Sequence, residues 1–198
     1  MSNDKAPLRC VLFDLDGTLL DTAPDLGAAV NHVLVSEGFA PLPEAIIRQT
    51  TSHGALGLLK AGLGEDLLEE LGASRLRTAL LDHYAANLCV GTRPYEGMLD
   101  LIEWLDEKKL PWGIVTNKPG FLTKPLLAAL PELASCGVTV SADTLPVRKP
   151  DPAPMYFACE QLGVDATHCL YVGDHVRDIE AGRNAGMRTA VAGWGYLS

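Results

Sequence analysis

Five short apolar runs punctuate the chain: Cys10–Phe13 (CVLF), Trp112–Val115 (WGIV), Gly137–Val140 (GVTV), Cys169–Val172 (CLYV) and Thr189–Val191 (TAV). Each is bounded by Gly, Asp or Pro and lacks polar alternation, the pattern of strands buried on both faces of a parallel sheet. Between the later runs the period lengthens to that of a helix. Asp100–Lys109 places Leu101, Trp104 and Leu105 on one face with charges opposite, and Phe121–Leu130 and Met155–Leu162 repeat the pattern. Gly163 and Gly186 stand where helix C-caps are expected. Strand alternating with helix predicts an α/β fold with a doubly wound sheet.

One stretch breaks the alternation. From about Ala23 to Arg93 the pattern predicts helices only, over Asp25–Glu37, Ala55–Ala61 and Ser74–Leu88, with a polar interruption at Thr50–Gly54 (TTSHG). This is far longer than an ordinary strand-to-helix connection. The expected architecture is a Rossmann-like parallel sheet core, residues 1–22 and 94–198, carrying an inserted α-helical bundle, residues 23–93. Arg93–Gly97 (RPYEG) is the expected return linker, paired with the outgoing segment near Leu20–Pro24. Two linkers on one side would let the bundle close like a lid.

Composition narrows the class. The 198 residues are 47% hydrophobic and 21% charged, a globular balance that excludes disorder of the whole chain. A net charge of −9 offers no footprint for nucleic acid or an acidic membrane, so an anionic ligand needs locally placed cations. The five cysteines show no close CxxC spacing, which favours a reducing compartment over a zinc or disulfide framework. The first residues contain no apolar signal core, and no run approaches the roughly 20 apolar residues of a membrane span. The expected location is cytoplasmic.

Candidate chemistry gathers at the strand ends. Asp14 follows CVLF, Thr116 follows WGIV, Asp143 follows GVTV shortly after, and Asp174 follows CLYVG. Ligands of open α/β sheets bind beyond the carboxyl ends of the strands, so these side chains are expected to converge. Asp14 and Asp16 are two residues apart and can face one side, with Gly17 letting the chain turn behind them. Asp174 and Asp178 lie one helical turn apart. Four acids at one sheet edge repel one another unless a cation is present, and hard oxygen ligands suit Mg²⁺. Lys149, in RKPDP, adds a point charge able to hold phosphate, while Thr116 and Asn117 add neutral donors. Thr18 is expected to satisfy local backbone, Asp21 or Thr22 to cap the first helix, and Trp104, Trp112 and Trp194 to pack.

Taken in order, FDLDGTLLDT, VTNKP, RKPDP and GDHVRD resemble the four motifs of the haloacid dehalogenase-like (HAD) superfamily across nearly the whole chain. The inserted helices resemble the cap of its helical-cap subgroup, and VTNKP resembles the phosphoglycolate phosphatase-like branch. The resemblance implies Asp14 as nucleophile, Asp16 as general acid/base, Thr116 as a phosphate ligand and Lys149 as the cation between nucleophile and phosphate. It implies Mg²⁺ held by Asp14, by Asp16 through its backbone carbonyl, and by Asp174, with Asp178 in support. It places substrate-reading cap residues at the polar interruption, at Arg48, Ser52, His53 and Gly54; Lys118 follows Thr116 and Asn117 closely enough to contact substrate. The implied activity is Mg²⁺-dependent hydrolysis of a small-metabolite phosphate monoester through an aspartyl phosphate, with phosphoglycolate the first candidate. A sugar phosphatase, such as one for N-acetylmuramic acid 6-phosphate, and a phosphomutase are the alternatives. The acid at position 16 argues against a dehalogenase or phosphonatase. A monomer or homodimer is expected. By the same resemblance, related chains generally continue beyond the GWGY segment with a further strand and helix, so a truncated C-terminus is expected and the sheet edge is fixed less firmly than the active site.

Overall fold

All five apolar runs become strands of one parallel sheet, in the order β5-β4-β1-β6-β7. The computed structural model describes residues 7–197. The strands are β1 (Cys10–Phe13), β4 (Trp112–Val115), β5 (Val138–Val140), β6 (Cys169–Gly173) and β7 (Arg188–Val191). Alternate residues of β1 serve opposite faces. Val11 and Phe13 pack with Ile102, Leu105, Ile114 and Leu126, whereas Cys10 and Leu12 pack with Met155, Ala158, Tyr171 and Ala181. Each large side chain buried this way stabilises the fold by about 1.5–3 kcal/mol. Because β1 is the central strand, Asp14 emerges in mid-sheet, flanked by the chain leaving β4 at Thr116 and β6 at Asp174.

The outer layers come from α6 (Met98–Glu107), α7 (Gly120–Ala128), α8 (Ala153–Leu162) and α9 (Val176–Asn184). Gly163 and Gly186 both adopt positive φ at helix ends, +65° and +75°, as the C-cap reading requires. Trp112 is buried in the core, but Trp104 is 46% exposed, so packing does not account for it. Trp194 is also half-exposed and donates its indole N–H to the carbonyl of Thr18.

Between β2 (Leu20–Asp21) and β3 (Arg93–Pro94) the chain forms α1 (Ala23–Ser36), α2 (Glu44–Thr50), α3 (Gly54–Leu63), α4 (Glu65–Leu71) and α5 (Ala73–Ala86). Their apolar faces share a core of their own, built on Val30, Leu34, Leu58, Leu59, Leu80 and Tyr84. The polar interruption is a 3₁₀ turn at Thr51–His53. β2 and β3 pair antiparallel, Leu20 with Pro94 and Asp21 with Arg93, so the outgoing and returning linkers lie side by side. Buried Asp25 anchors the return by accepting from the N–H groups of Gly91 and Thr92 and the hydroxyl of Thr92, at 2.6, 3.0 and 2.6 Å. Among the described residues, no helix is long and apolar enough to cross a membrane.

Candidate active site

The end of β1 delivers Asp14 into a buried ion cluster. Lys149 Nζ lies 2.8 Å from Oδ1 of both Asp14 and Asp178, and also 2.8 Å from the Val115 carbonyl and the Tyr171 hydroxyl. Asp14 Oδ1 takes a second donor, the N–H of Leu15, at 2.8 Å. Carboxylate oxygens of Asp14, Asp174 and Asp178 all lie within 4.8 Å of one another, and all three residues are buried. Burial is the main reason the Asp14 carboxyl is pushed up to about 7, with Asp178 and Asp174 adding to the shift and Lys149 opposing it. Burial also raises Asp174, against the hydrogen bonds it accepts. Three buried carboxylates facing one lysine leave an uncompensated negative field, which suits a hard divalent cation.

Local chain geometry builds this cluster. Asp178 sits in the first turn of α9 and accepts from the N–H of His175 at 3.0 Å, while His175 Nδ1 accepts from the N–H of Arg177 at 3.2 Å. Asp174 accepts from Ser52 Oγ at 2.9 Å, the N–H of Tyr196 at 2.9 Å and Thr18 Oγ1 at 3.5 Å. The chain passes so close to Asp174 at Gly17 and Gly195 that an added Cβ would stand 2.2 and 2.5 Å from its side chain. Gly17 also has φ +81°, a second reason for glycine there.

Asp16 lines the same cavity, but its carboxylate is not part of the acidic cluster. It accepts from Lys118 Nζ at 2.9 Å and Thr22 Oγ1 at 2.7 Å. Lys118 is buried and lies 4.4 Å from the centre of the Tyr84 ring. Burial works against its charge, yet Asp16 and Tyr84 more than offset this and hold its pKa above the ordinary lysine value. Thr116 and Asn117 also line the cavity. Asn117 mainly positions Lys149: it donates to the Lys149 carbonyl at 3.0 Å and accepts from its N–H at 3.1 Å. Asn117→Ala loses both bonds. The expected cost is about 1–3 kcal/mol in urea unfolding, with reduced turnover as the lysine loop loosens.

Ser52, His53 and Gly54 reach the cavity, of about 500 Å³, from the helical side. Arg177 donates to the Ser52 carbonyl, and the His53 and His175 rings meet edge to face at 5.6 Å. Arg48 does not reach it. Its guanidinium is forked onto Asp21 at 2.9 and 3.2 Å and bonded to Glu44 at 3.0 Å, and it borders a separate recess with Gly27 and Asn31. Asp143 does not converge either, because it accepts from the N–H of Gly120 at the start of α7. Asp21 and Thr22 form no side-chain cap on α1: Asp21 is held by Arg48 and the Tyr196 hydroxyl, and Thr22 is turned to Asp16. Thr18 points at Asp174 rather than at local backbone.

The sequence reading missed Arg77, Arg148, Arg177 and Tyr84. The three arginines line the cavity, and Tyr84 lies against Lys118. Arg148 and Arg177 stood inside motifs already singled out, RKPDP and GDHVRD. Arg77 carried no local signal, since an arginine on the exposed face of a helix is the commonest of patterns.

The family model described as haloacid dehalogenase-like hydrolase matches residues 11–192. The chain belongs to that family. Among HAD-like relatives, an N-acetylmuramic acid 6-phosphate phosphatase from Pseudomonas aeruginosa is 40% identical over 190 residues, 96% of this chain and 84% of the relative. A phosphoglycolate phosphatase from Xylella fastidiosa is 42% identical over 190 residues, 96% of this chain and 82% of the relative. The crystal structure of a predicted phosphoglycolate phosphatase from Haemophilus somnus 129pt superposes with a TM-score of 0.79 at 28% identity, over 93% of this chain and 84% of that one. This HAD-like chain is a phosphoric monoester hydrolase. Hydrolases of the family generally use a divalent metal, and Asp14, Asp174 and Asp178 form a cluster able to bind one.

Proposed function

We propose that the protein is a Mg²⁺-dependent phosphatase that cleaves a small phosphate monoester through a phosphorylated Asp14, with a phosphoglycolate-like ester as substrate. The observation that carries this reading is the buried Asp14–Lys149–Asp178 cluster at the head of the central strand, with Asp16 beside it on the same cavity. Asp14 directs both its hydrogen bonds through Oδ1, so Oδ2 is the attacking atom. Burial pushes the Asp14 carboxyl up to about 7 although Lys149 opposes the shift, so a cation held by the acidic cluster would be what keeps it ionised for attack at neutral pH. Bound Mg²⁺, held by Asp14, Asp174 and the Asp16 carbonyl with Asp178 in support, would offset the repulsion between carboxylate and phosphate.

As Asp14 Oδ2 bonds to phosphorus, the ester P–O bond breaks and Asp16 delivers its proton to the departing alkoxide. Asp16 then takes a proton from water, which attacks phosphorus, releases phosphate and regenerates Asp14. Lys118 and Thr22 hold the Asp16 carboxyl in place throughout. Thr116 supplies a phosphate-facing hydroxyl. The helices α1–α5 act as a cap, and Ser52, His53 and Gly54 face the substrate from it. Asp16→Asn is expected to slow both half-reactions by about 10²-fold, measured as the burst of released alcohol for the first and the steady-state release of phosphate for the second. Asp16 is also the partner of buried Lys118, so the same change should lower the melting temperature, although the Asp14–Asp178 cluster is untouched.

A cavity of about 500 Å³ has room for a sugar ring, which supports N-acetylmuramic acid 6-phosphate as the second reading. Phosphate release from a panel of esters at fixed Mg²⁺, with a chelator control, tests both. The expected result is kcat/KM of about 10⁴ M⁻¹s⁻¹ or more for one of the two acids. Failure to cleave either would overturn the substrate assignment.

A further inference from the structure

We infer that Arg77 and Arg148 read a second anionic group on the substrate, so that preferred esters carry a carboxylate or another phosphate beyond the one cleaved. This rests on the phosphatase reading. The cavity presents five cationic side chains and only two carboxylates. Each carboxylate already has its own ammonium: Lys149 lies on Asp14 and Lys118 on Asp16. Arg77, Arg148 and Arg177 therefore bring positive charge beyond what the lining acids balance. None of the ion pairs among the described residues uses them.

Arg177 has a structural task, since it reaches across to the Ser52 carbonyl. Arg77 and Arg148 make no side-chain hydrogen bond among the described residues, and both are exposed at the mouth of the cavity. They come from opposite sides, Arg77 from α5 and Arg148 from the loop that also carries Lys149. A ligand whose phosphate sits at Asp14 would thus share the cavity with two exposed guanidinia that have no partner among the described residues. Leu26, Leu81 and Leu122 also line the cavity, so the rest of the ligand can be apolar.

The chain as a whole carries −9, which makes unpaired arginines at one cavity mouth a local exception to its field. A guanidinium fork matches the two oxygens of a carboxylate or phosphate and gains more from them than from a hydroxyl. A phosphate monoester alone gives Arg77 and Arg148 nothing to bind, because Lys149 and the metal cluster already hold it.

Three esters separate the outcomes: phosphoglycolate, its amide, in which only the carboxylate is neutralised, and the longer propane-1,3-diyl bisphosphate. At low ionic strength, kcat/KM for a charged ester should exceed that for the amide by about 10–100-fold, with the difference in KM. Arg77→Gln and Arg148→Gln should each shrink that ratio, and Arg77→Lys should restore part of it. Added salt should shrink it too, because both arginines are exposed. A bisphosphate preferred over phosphoglycolate would support the inference and identify the second anion as phosphate. Equal kcat/KM for acid, bisphosphate and amide would overturn it while leaving the phosphatase intact, as would a ratio unchanged in the Arg77→Gln/Arg148→Gln double variant. No release from any of the three or from p-nitrophenyl phosphate would instead overturn the phosphatase reading beneath it.

Discussion

Asp14→Asn is expected to lower turnover by about 10⁴-fold or more and, in chelator, to raise the melting temperature. The two effects share one cause. The amide keeps the shape of the side chain and can still accept from Leu15 and Lys149, but it removes the nucleophile and one of three buried carboxylates. In the folded chain Asp14 is pushed up to about 7, chiefly by burial, whereas an unfolded aspartate ionises near ~3.9. The folded state therefore holds the extra proton between those values, and stability falls as pH rises through that window. The stabilisation gained by asparagine should be largest above pH ~7 and smaller near pH ~5. Each kcal/mol gained raises the melting temperature by about 2–4 °C in a chain of this size. Thermal unfolding at the two pH values, paired with a turnover assay, reads both effects.

Lys149→Met is expected to cost both activity and stability. The methionine fills much of the same space but leaves Asp14 and Asp178 facing each other without the ammonium that lies 2.8 Å from each. Removing one partner of a buried ion pair costs about 3–5 kcal/mol. The Val115 carbonyl and the Tyr171 hydroxyl lose a donor at the same time. With no fixed cation to meet the phosphate, turnover should drop by about 10³-fold or more. Lys149→Arg should rescue little, since a planar fork cannot replace a point charge surrounded by four acceptors. Urea unfolding at pH ~8, where carboxylates ionise, measures the first effect and single-turnover kinetics the second. A variant as stable as the parent would contradict the role assigned to Lys149.

The sheet was legible because a strand buried on both faces must be a short apolar run, and β1, β4 and β6 are each followed directly by a polar residue at the site. The resemblance to HAD motifs then pointed to Asp14, Asp16 and Asp174 just beyond β1 and β6, to Asp178 on α9 and to Lys149 in the loop between β5 and α8. Short helices were not legible. α2 and α4 are seven residues each, about two turns, too few for a 3.6-residue period to stand out, and Pro43 and Gly64 before them look like loop.

Arg48 was misread for a tertiary reason. Beside the polar interruption it looks free to reach substrate, but Asp21, remote in sequence, lies near enough to take its whole fork. Arg77 failed the other way: its helix face looks solvated until the fold carries α5 over the cavity. Thr22 was expected as a cap because local chemistry favours it, yet Asp16 is the stronger acceptor within reach. Such residues answer to charges on other elements, which a one-dimensional pattern does not display.

The most direct test is an acid-quenched single turnover of the Asp16→Asn variant with ³²P-labelled substrate, followed by peptide mapping. Label is expected on the peptide containing Asp14, stable in acid and released by hydroxylamine. Phosphate release with no label on that peptide at any time would contradict a phosphorylated Asp14.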